Sequence, residues 1–400
     1  MRKKGKFAKI FKTRYLRWLF FKSCFKALPF LKGKFNFYDQ IIYDDDLNAQ
    51  IICDKKIRYS LKDDLGFTFD EKQKDYIRKC QEEPVEFVDV TYKAVIVDDV
   101  YLLGNTGLAV DICSQKIIYL DKSVKELNHN RLKAKILKIV KFNDQKICLN
   151  LLGVSKSHRH FYHFIADYLM VFWFYLENFY DGDDLRVLVR DDLSKIQQDA
   201  YEFIAKKYPK IEFVKVAEGE KIKCQKLILL SYRIDRGDLD QRALFAKGYT
   251  DFLNKLFVEN YQINVAKIDK DPRRIYIARD DAKLRKILNE KTDLLPILER
   301  YGFKILSIGD MPYKEQIELF RSAQVIVTTH GAGLTSLIYC KPETRLLEIS
   351  SVDFMQTVFL WMAKTIGVKY DYLIGSGDDY YQNFTVDKDE FAKKIQEIIS

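Results

Sequence analysis

The stretch Gln324-Val-Ile-Val-Thr-Thr-His330-Gly-Ala-Gly333-Leu-Thr-Ser-Leu-Ile-Tyr-Cys340 changes from strand to tight loop to helix within a few positions. No other feature restricts the fold as much. Val325, Ile326 and Val327 form a β-branched run suited to a parallel strand buried on both faces, and apolar residues recur at helical spacing from Leu334. Between them, His330, Gly331, Ala332 and Gly333 let the backbone approach a ligand closely. The first amides of the following helix have no internal acceptor and carry the positive end of its dipole. Such a loop suits a diphosphate. A plain strand-to-helix connection would also use the glycines, but it has no need of a histidine ahead of three small residues.

The rest of the chain supplies alternating strand and helix signals on both sides of one break. Residues 185–189, a helix near 195–208, and strands at 211–216 and 226–230 form one βαβ series. A long helical stretch over 241–259 leads to Asp271-Pro272, a boundary signal. A second series follows: a strand at 273–279, a helix through Arg285 and Leu288, a strand at 303–306, a helix at 313–323, the glycine loop, and a strand at 345–349. The pattern predicts an α/β protein with two Rossmann-like domains facing a cleft, residues 141–268 and 269–400. Residues 35–140 alternate in short stretches such as 94–97, 100–103 and 116–120 and predict a small β-rich region.

Twelve Lys or Arg and no acid fall within residues 1–34, so the formal charge of +10 is local; the remainder carries 55 basic against 57 acidic groups, a net −2. The body of the chain therefore has no basic footprint for nucleic acid. Phe7, Ile10, Phe11, Trp18, Phe21, Phe25 and Leu28 share one face of that basic segment, which is the pattern of an amphipathic helix lying on an anionic membrane surface. Its uncharged runs are too short to span, and it lacks the apolar core and cleavage site of a signal peptide. Seven scattered cysteines without C-x-x-C spacing point to a reducing, cytoplasmic location, at the inner face of the membrane. Asp44-Asp45-Asp46 resembles a metal-binding acidic motif, but acidic pairs recur along the chain and read as solvated loops.

A second unusual segment, Ser157 to Leu176, is apolar enough for a core helix yet contains His158, His160, His163 and Asp167. His163 and Asp167 are four apart, so on a helix they lie one turn from each other on the same face. There the carboxylate can orient the imidazole and raise its basicity. A satisfied core histidine would need only one such residue, and three in six positions favour chemistry. No cysteine or carboxylate pattern completes a metal site around them.

In order, Tyr162-His163-Phe164 with Asp167, Arg273 through Arg279, Arg285 with Asn289-Glu290, Gln316 with Leu319-Phe320, His330-Gly-Ala-Gly-Leu334 and Leu347-Glu348-Ile349 resemble the family 61 glycosyltransferases. The resemblance covers about residues 90–350. The chain departs from the usual wording at Phe164, where the family more often has Trp, and at Cys340-Lys341-Pro342. What the resemblance implies is a GT-B fold, a nucleotide-sugar donor held by the C-terminal domain, no required metal, and inversion at the anomeric carbon. The donor, a UDP-sugar first, would be held by Arg274, Arg279, Arg285, His330, Gly331, Ala332, Gly333 and Glu348, the last toward ribose hydroxyls. Inversion needs a base on the opposing domain, with His163 the first candidate, Asp167 the second and His160 the third.

The function expected from these residues is transfer of a sugar to a lipid-linked surface polysaccharide or related glycan, in a bacterium. A polysaccharide pyruvyl transferase and a catalytically silent nucleotide-sugar-binding scaffold are the alternatives. Oligomeric state is not readable from the sequence.

Overall fold

The computed structural model describes residues 41–43, 50–60, 69–80, 86–113, 117–119, 138–152, 159–235, 247–268, 273–279, 284–377 and 381–400. The basic segment 1–34, Asp44-Asp45-Asp46, His158 and the Asp271-Pro272 break lie outside them. Among the described residues the fold is mixed α/β, as expected, with two sheets.

The first sheet has ten strands among the described residues. Its middle is a long antiparallel pair, Phe87–Leu103 against Glu220–Asp235, in register from Leu103↔Lys221 to Asp89↔Asp235. One side of that pair carries the β-rich N-terminal strands, Leu108–Asp111 and Ile117–Tyr119 among them. The other side carries a parallel set, Ile147–Asn150, Leu185–Arg190 and Ile211–Val216. The β-rich residues and the first α/β series thus share one continuous sheet. Leu185–Arg190 is buried almost throughout, as a parallel strand covered on both faces must be.

The histidine-bearing helix crosses from Ile147–Asn150 to Leu185–Arg190. It starts as Phe161–His163, widens to i→i+5 bonding over Phe164–Leu169, and continues as Met170–Asn178. Phe164 through Phe172 are all buried, which makes this an interior helix.

The second sheet has five parallel strands in the spatial order Lys304–Leu306, Arg273–Ile277, Ala323–Thr329, Arg345–Ser351, Lys369–Gly375. In chain order that is 2-1-3-4-5, a doubly wound topology whose switch point lies between Arg273–Ile277 and Ala323–Thr329. Side chains alternate across it. Ile275, Ile277 and Ile326 enter the large core shared with the first unit, while Tyr276, Val325 and Val327 enter a second core against Leu298, Phe391 and Ile395. The shared core also holds Phe164, Phe172, Tyr249, Phe257 and Trp361, so apolar packing is continuous between the two units.

Two sequence expectations are corrected. Arg285 and Leu288 are not helical: Arg285 has φ +61°, and the Arg285 and Leu288 amides donate to the Tyr381 and Phe384 carbonyls (2.9 and 2.8 Å). A left-handed residue and amides committed to another segment leave no helical ladder, and helical turns begin only at Glu290. The helix after the glycine loop, Ala332–Tyr339, is a tight i→i+3 helix. The 241–259 stretch is described from Lys247, as an α-helix to Leu253 and a widened turn over Asn254–Glu259.

Candidate active site

The Ala323–Thr329 strand ends at His330, whose amide donates to the Ile349 carbonyl (3.0 Å), so the adjacent strand sets where the loop leaves the sheet. Gly331 follows with extended backbone, and the Leu334 amide then returns to the Gly331 carbonyl (3.0 Å) to start the helix. The amides ahead of that bond have no acceptor within the helix. Arg279, just past the end of the neighbouring Arg273–Ile277 strand, donates through Nη1 to the His330 carbonyl. A Cβ on Gly331 would stand 2.6 Å from that Nη1. The missing side chain is what lets the guanidinium lie against the loop.

A cavity of about 980 Å³ opens at this switch point. Ala278, Arg279, Thr329, Gly331, Ala332 and Gly333 form its wall on the second unit, and Phe161, Phe164, Asp199, Phe203 and Tyr261 form its wall on the first. One wall offers amides and a guanidinium. The other offers aromatic faces and a carboxylate that accepts from the Tyr261 hydroxyl (2.7 Å) and pairs with Lys195.

On the histidine helix, the His163 Nδ1 lies 2.9 Å from Asp167 Oδ2. The Asp167 side chain is 1% exposed and that of His163 is 36% exposed. The carboxylate therefore sits behind the imidazole, oriented to hold it. The structure thus corrects Asp167 as a direct base, because a side chain without solvent contact is not placed to meet an incoming hydroxyl. The His160 ring lies 4.9 Å from that of His163. Desolvation first, then His163 and Arg285, push the His160 imidazole below its usual value, with Arg279 adding to the effect. Phe161 and Phe164, on either side of His163 in this helix, line the cavity wall opposite Arg279 and the glycine loop. Tyr162 meets Phe359 (ring centroids 6.2 Å), and Phe359 meets His330 (5.0 Å), closing the gap between the units.

Arg279, His330, Gly331, Ala332 and Gly333 are together at the ligand edge of the sheet. Three other sequence-derived donor residues are not used as expected. Arg274 is near the start of its strand, several residues from the ligand edge, and its Nη1 donates to the Tyr301 carbonyl (2.9 Å) at the end of the Leu295–Arg300 helix. That is a helix-capping role. Glu348 has no solvent exposure, and its oxygens engage His330 Nδ1 (2.5 Å) and the Tyr370 hydroxyl (2.7 Å), which removes it from contact with a ribose. Arg285 lies over the Phe354 ring (4.2 Å to the centroid), burial lowers its value, and its buried Nε has no hydrogen-bond partner among the described residues. Like His160, His163 and His330, it is not among the residues that line the cavity.

Sequence reasoning missed Tyr370, Phe359 and the Asp199–Tyr261 pair. None carries a motif. Among the described residues, no group of three His, Cys, Asp or Glu side chains is placed to hold a metal ion. No helix of the described residues is long and apolar enough to cross a membrane.

The histidine helix and the glycine loop both fall within the part of the chain that similarity picks out. Residues 161–347 match the family model Glycosyltransferase 61. The matched segment starts at the His163 helix and ends one residue before Glu348. A beta-1,2-xylosyltransferase of Arabidopsis thaliana is 38% identical over 75 residues, which are 18% of this chain and 14% of that protein. The beta-1,2-xylosyltransferase RCN11 of Oryza sativa subsp. japonica is 27% identical over 154 residues, 36% of this chain and 26% of that protein. The chain thus spans about a seventh and a quarter of these relatives. Together with the glycosyltransferase 61 match they support a sugar-transferring enzyme. Both are plant proteins, so they give no support to the bacterial surface-polysaccharide type expected from the sequence.

Proposed function

We propose that this chain is an inverting glycosyltransferase of the two-unit GT-B type, which needs no metal and moves a sugar from a nucleotide-sugar to a hydroxyl of a glycan acceptor. The observation that carries the reading is the opposition of two half-sites. Arg279 and the Gly331–Gly333 loop line one wall of the cavity at the switch point, and Phe161 and Phe164, which flank His163 on its helix, line the other, with His163 held by Asp167. A departing nucleoside diphosphate gains negative charge, which the loop amides and the guanidinium meet without reorganising. His163 takes the proton from the acceptor hydroxyl as it attacks the opposite face of the sugar. Single displacement turns an α-linked donor into a β product, the linkage named for both relatives. Xylose is accordingly the first sugar to try, as UDP-xylose.

The test is a thermal-shift panel of UDP, GDP, CMP and dTDP, their sugar conjugates and phosphoenolpyruvate, run in EDTA. A ligand that binds only the folded state raises the melting temperature, by RT ln(1 + [L]/Kd) in stability. Stabilisation by one nucleotide and its conjugate is expected. Stabilisation by phosphoenolpyruvate alone would replace the reading with pyruvyl transfer, and binding only with added divalent cation would remove the metal-free part. A nucleotide that binds without any transfer to glycan extracts would leave a scaffold.

The narrower proposal is a lipid-linked acceptor at the cytoplasmic face of a membrane, and it rests on the basic, aromatic segment 1–34. Each Lys or Arg near an anionic surface contributes about 1 kcal/mol. The chain is expected to sediment with phosphatidylglycerol vesicles, less so in high salt, and not with phosphatidylcholine vesicles. Equal sedimentation after the Lys and Arg of that segment are changed to Gln would end the proposal.

A further inference from the structure

Glu348 is a carboxylate set inside a parallel strand with no solvent exposure. Such a group is tolerated only where its oxygens are hydrogen-bonded. One oxygen faces His330 Nδ1 at 2.5 Å, and the other accepts from the Tyr370 hydroxyl at 2.7 Å. An ionised carboxylate is acceptor-only, so the nitrogen facing it is the one that carries a proton. Burial, then Glu348, push the Tyr370 hydroxyl well above the usual tyrosine value, and it remains a donor.

Tyr370 is held in turn by an element far away in sequence. Tyr76, on the Glu71–Lys79 helix, packs against it with ring centroids 5.8 Å apart and donates to the Gln356 carbonyl (3.2 Å). That helix is fixed to the edge strand by Lys72–Asp371 (2.6 Å) and by the Tyr372 hydroxyl on Asp75 (3.0 Å). At the other end of the chain of contacts, the His330 carbonyl accepts from Arg279. His330 is thus gripped at its ring by Glu348 and at its backbone by the arginine of the ligand loop.

We propose that Tyr370 is a positioning residue: through Glu348 it holds the His330 ring with Nδ1–H on the carboxylate, which leaves Nε2 as the nitrogen that meets the donor. What Nε2 then touches, a phosphate or the sugar, rests on the nucleotide-sugar reading above. The orientation of the ring does not. Without the Tyr370 hydroxyl, one buried carboxylate oxygen loses its donor, and the carboxylate turns toward whatever donor remains. The imidazole then loses its fixed orientation.

The experiment has two readouts on the full chain labelled with ¹⁵N-histidine. Long-range ¹H–¹⁵N correlation, with the His330 signals assigned from His330→Ala, reports which ring nitrogen is protonated. In the wild type Nδ1 is expected to carry a slowly exchanging proton, and in Tyr370→Phe that protection is expected to be lost while the melting transition stays cooperative. The second readout is calorimetric affinity for UDP, or for whichever of GDP, CMP and dTDP the panel shows to bind. Tyr370→Phe is expected to weaken it about tenfold, the scale of one hydrogen bond, and to have no further effect in the His330→Ala background. Unchanged His330 ring signals in Tyr370→Phe would overturn the proposal, as would an equal loss of affinity with and without His330. If no nucleotide binds the wild type, the nucleotide-sugar reading fails and the ring signals alone decide the role of Tyr370.

Discussion

Sugar transfer by the His163→Ala protein is expected to be slower than wild type by about two to four orders of magnitude, with nucleotide affinity unchanged within about twofold. The size is that of a lost general base. The selectivity follows from position, since His163 is on the first unit and the glycine loop proposed to hold the nucleotide is on the second. Asp167→Ala is expected to lose nearly as much, because an imidazole without its carboxylate is no longer oriented. Combined, the two substitutions should cost little more than His163→Ala alone, since residues that act as a unit are not additive. Single-turnover transfer and calorimetric nucleotide binding measure the two halves of the claim. His163→Ala also strips a buried carboxylate of one partner, at about 1–3 kcal/mol, so the melting temperature should fall while the transition remains cooperative. Wild-type turnover in this variant would pass the role to His160, whose lowered proton affinity keeps it neutral and competent near neutral pH.

The sequence disclosed the parts of this arrangement that depend on local pattern. Val325-Ile326-Val327 before His330-Gly331-Ala332-Gly333 is a buried strand running into a tight glycine loop, and the four-residue spacing of His163 and Asp167 survives even though the helix widens at Phe164. What it did not disclose depends on register between strands. Glu348 looks free when only Leu347-Glu348-Ile349 is considered. Only the pairing of Leu346 with Tyr370 and of Glu348 with Tyr372 brings the Tyr370 hydroxyl to the carboxylate, and only the pairing of Thr328 with Glu348 sets it beside the end of the strand that leads to His330. Arg274 and Arg279 are chemically equal in the sequence. They differ because ligands meet a parallel sheet at the carboxyl ends of its strands, and Arg274 is at the other end. Arg285 was misread as helical because its spacing to Leu288 fits a helix, whereas the amides of both residues are taken by Tyr381 and Phe384. The Glu71–Lys79 helix shows a clear capping box at Asp70 and Gln73, but nothing local tells that its Tyr76 braces a strand almost three hundred residues later.

Arg279→Ala is expected to weaken nucleotide binding by about 1.5–3 kcal/mol, the range for a hydrogen bond to a charged group and a loss of roughly ten- to 150-fold in affinity. The guanidinium has two duties, which set the upper end. It is a cation that lines the cavity, and it ties down the His330 carbonyl, so its removal takes away both a charge and the anchor of the amides next to it. Arg279→Lys should recover only part, because an ammonium keeps the charge without the fork that serves carbonyl and phosphate together. Gly331→Ala offers an independent route to the same effect. The new Cβ would lie 2.6 Å from Nη1 and 3.0 Å from Cζ, and since these atoms end a flexible side chain, the guanidinium moves away while the backbone stays. Stability should hardly change, and affinity should fall by less than in Arg279→Ala. In the Arg279→Ala background Gly331→Ala should then do almost nothing, because the atoms it displaces are gone. Equal losses from Gly331→Ala with and without the arginine would mean that the glycine serves the ligand's own approach, and unchanged affinity in Arg279→Ala would take the guanidinium out of the site.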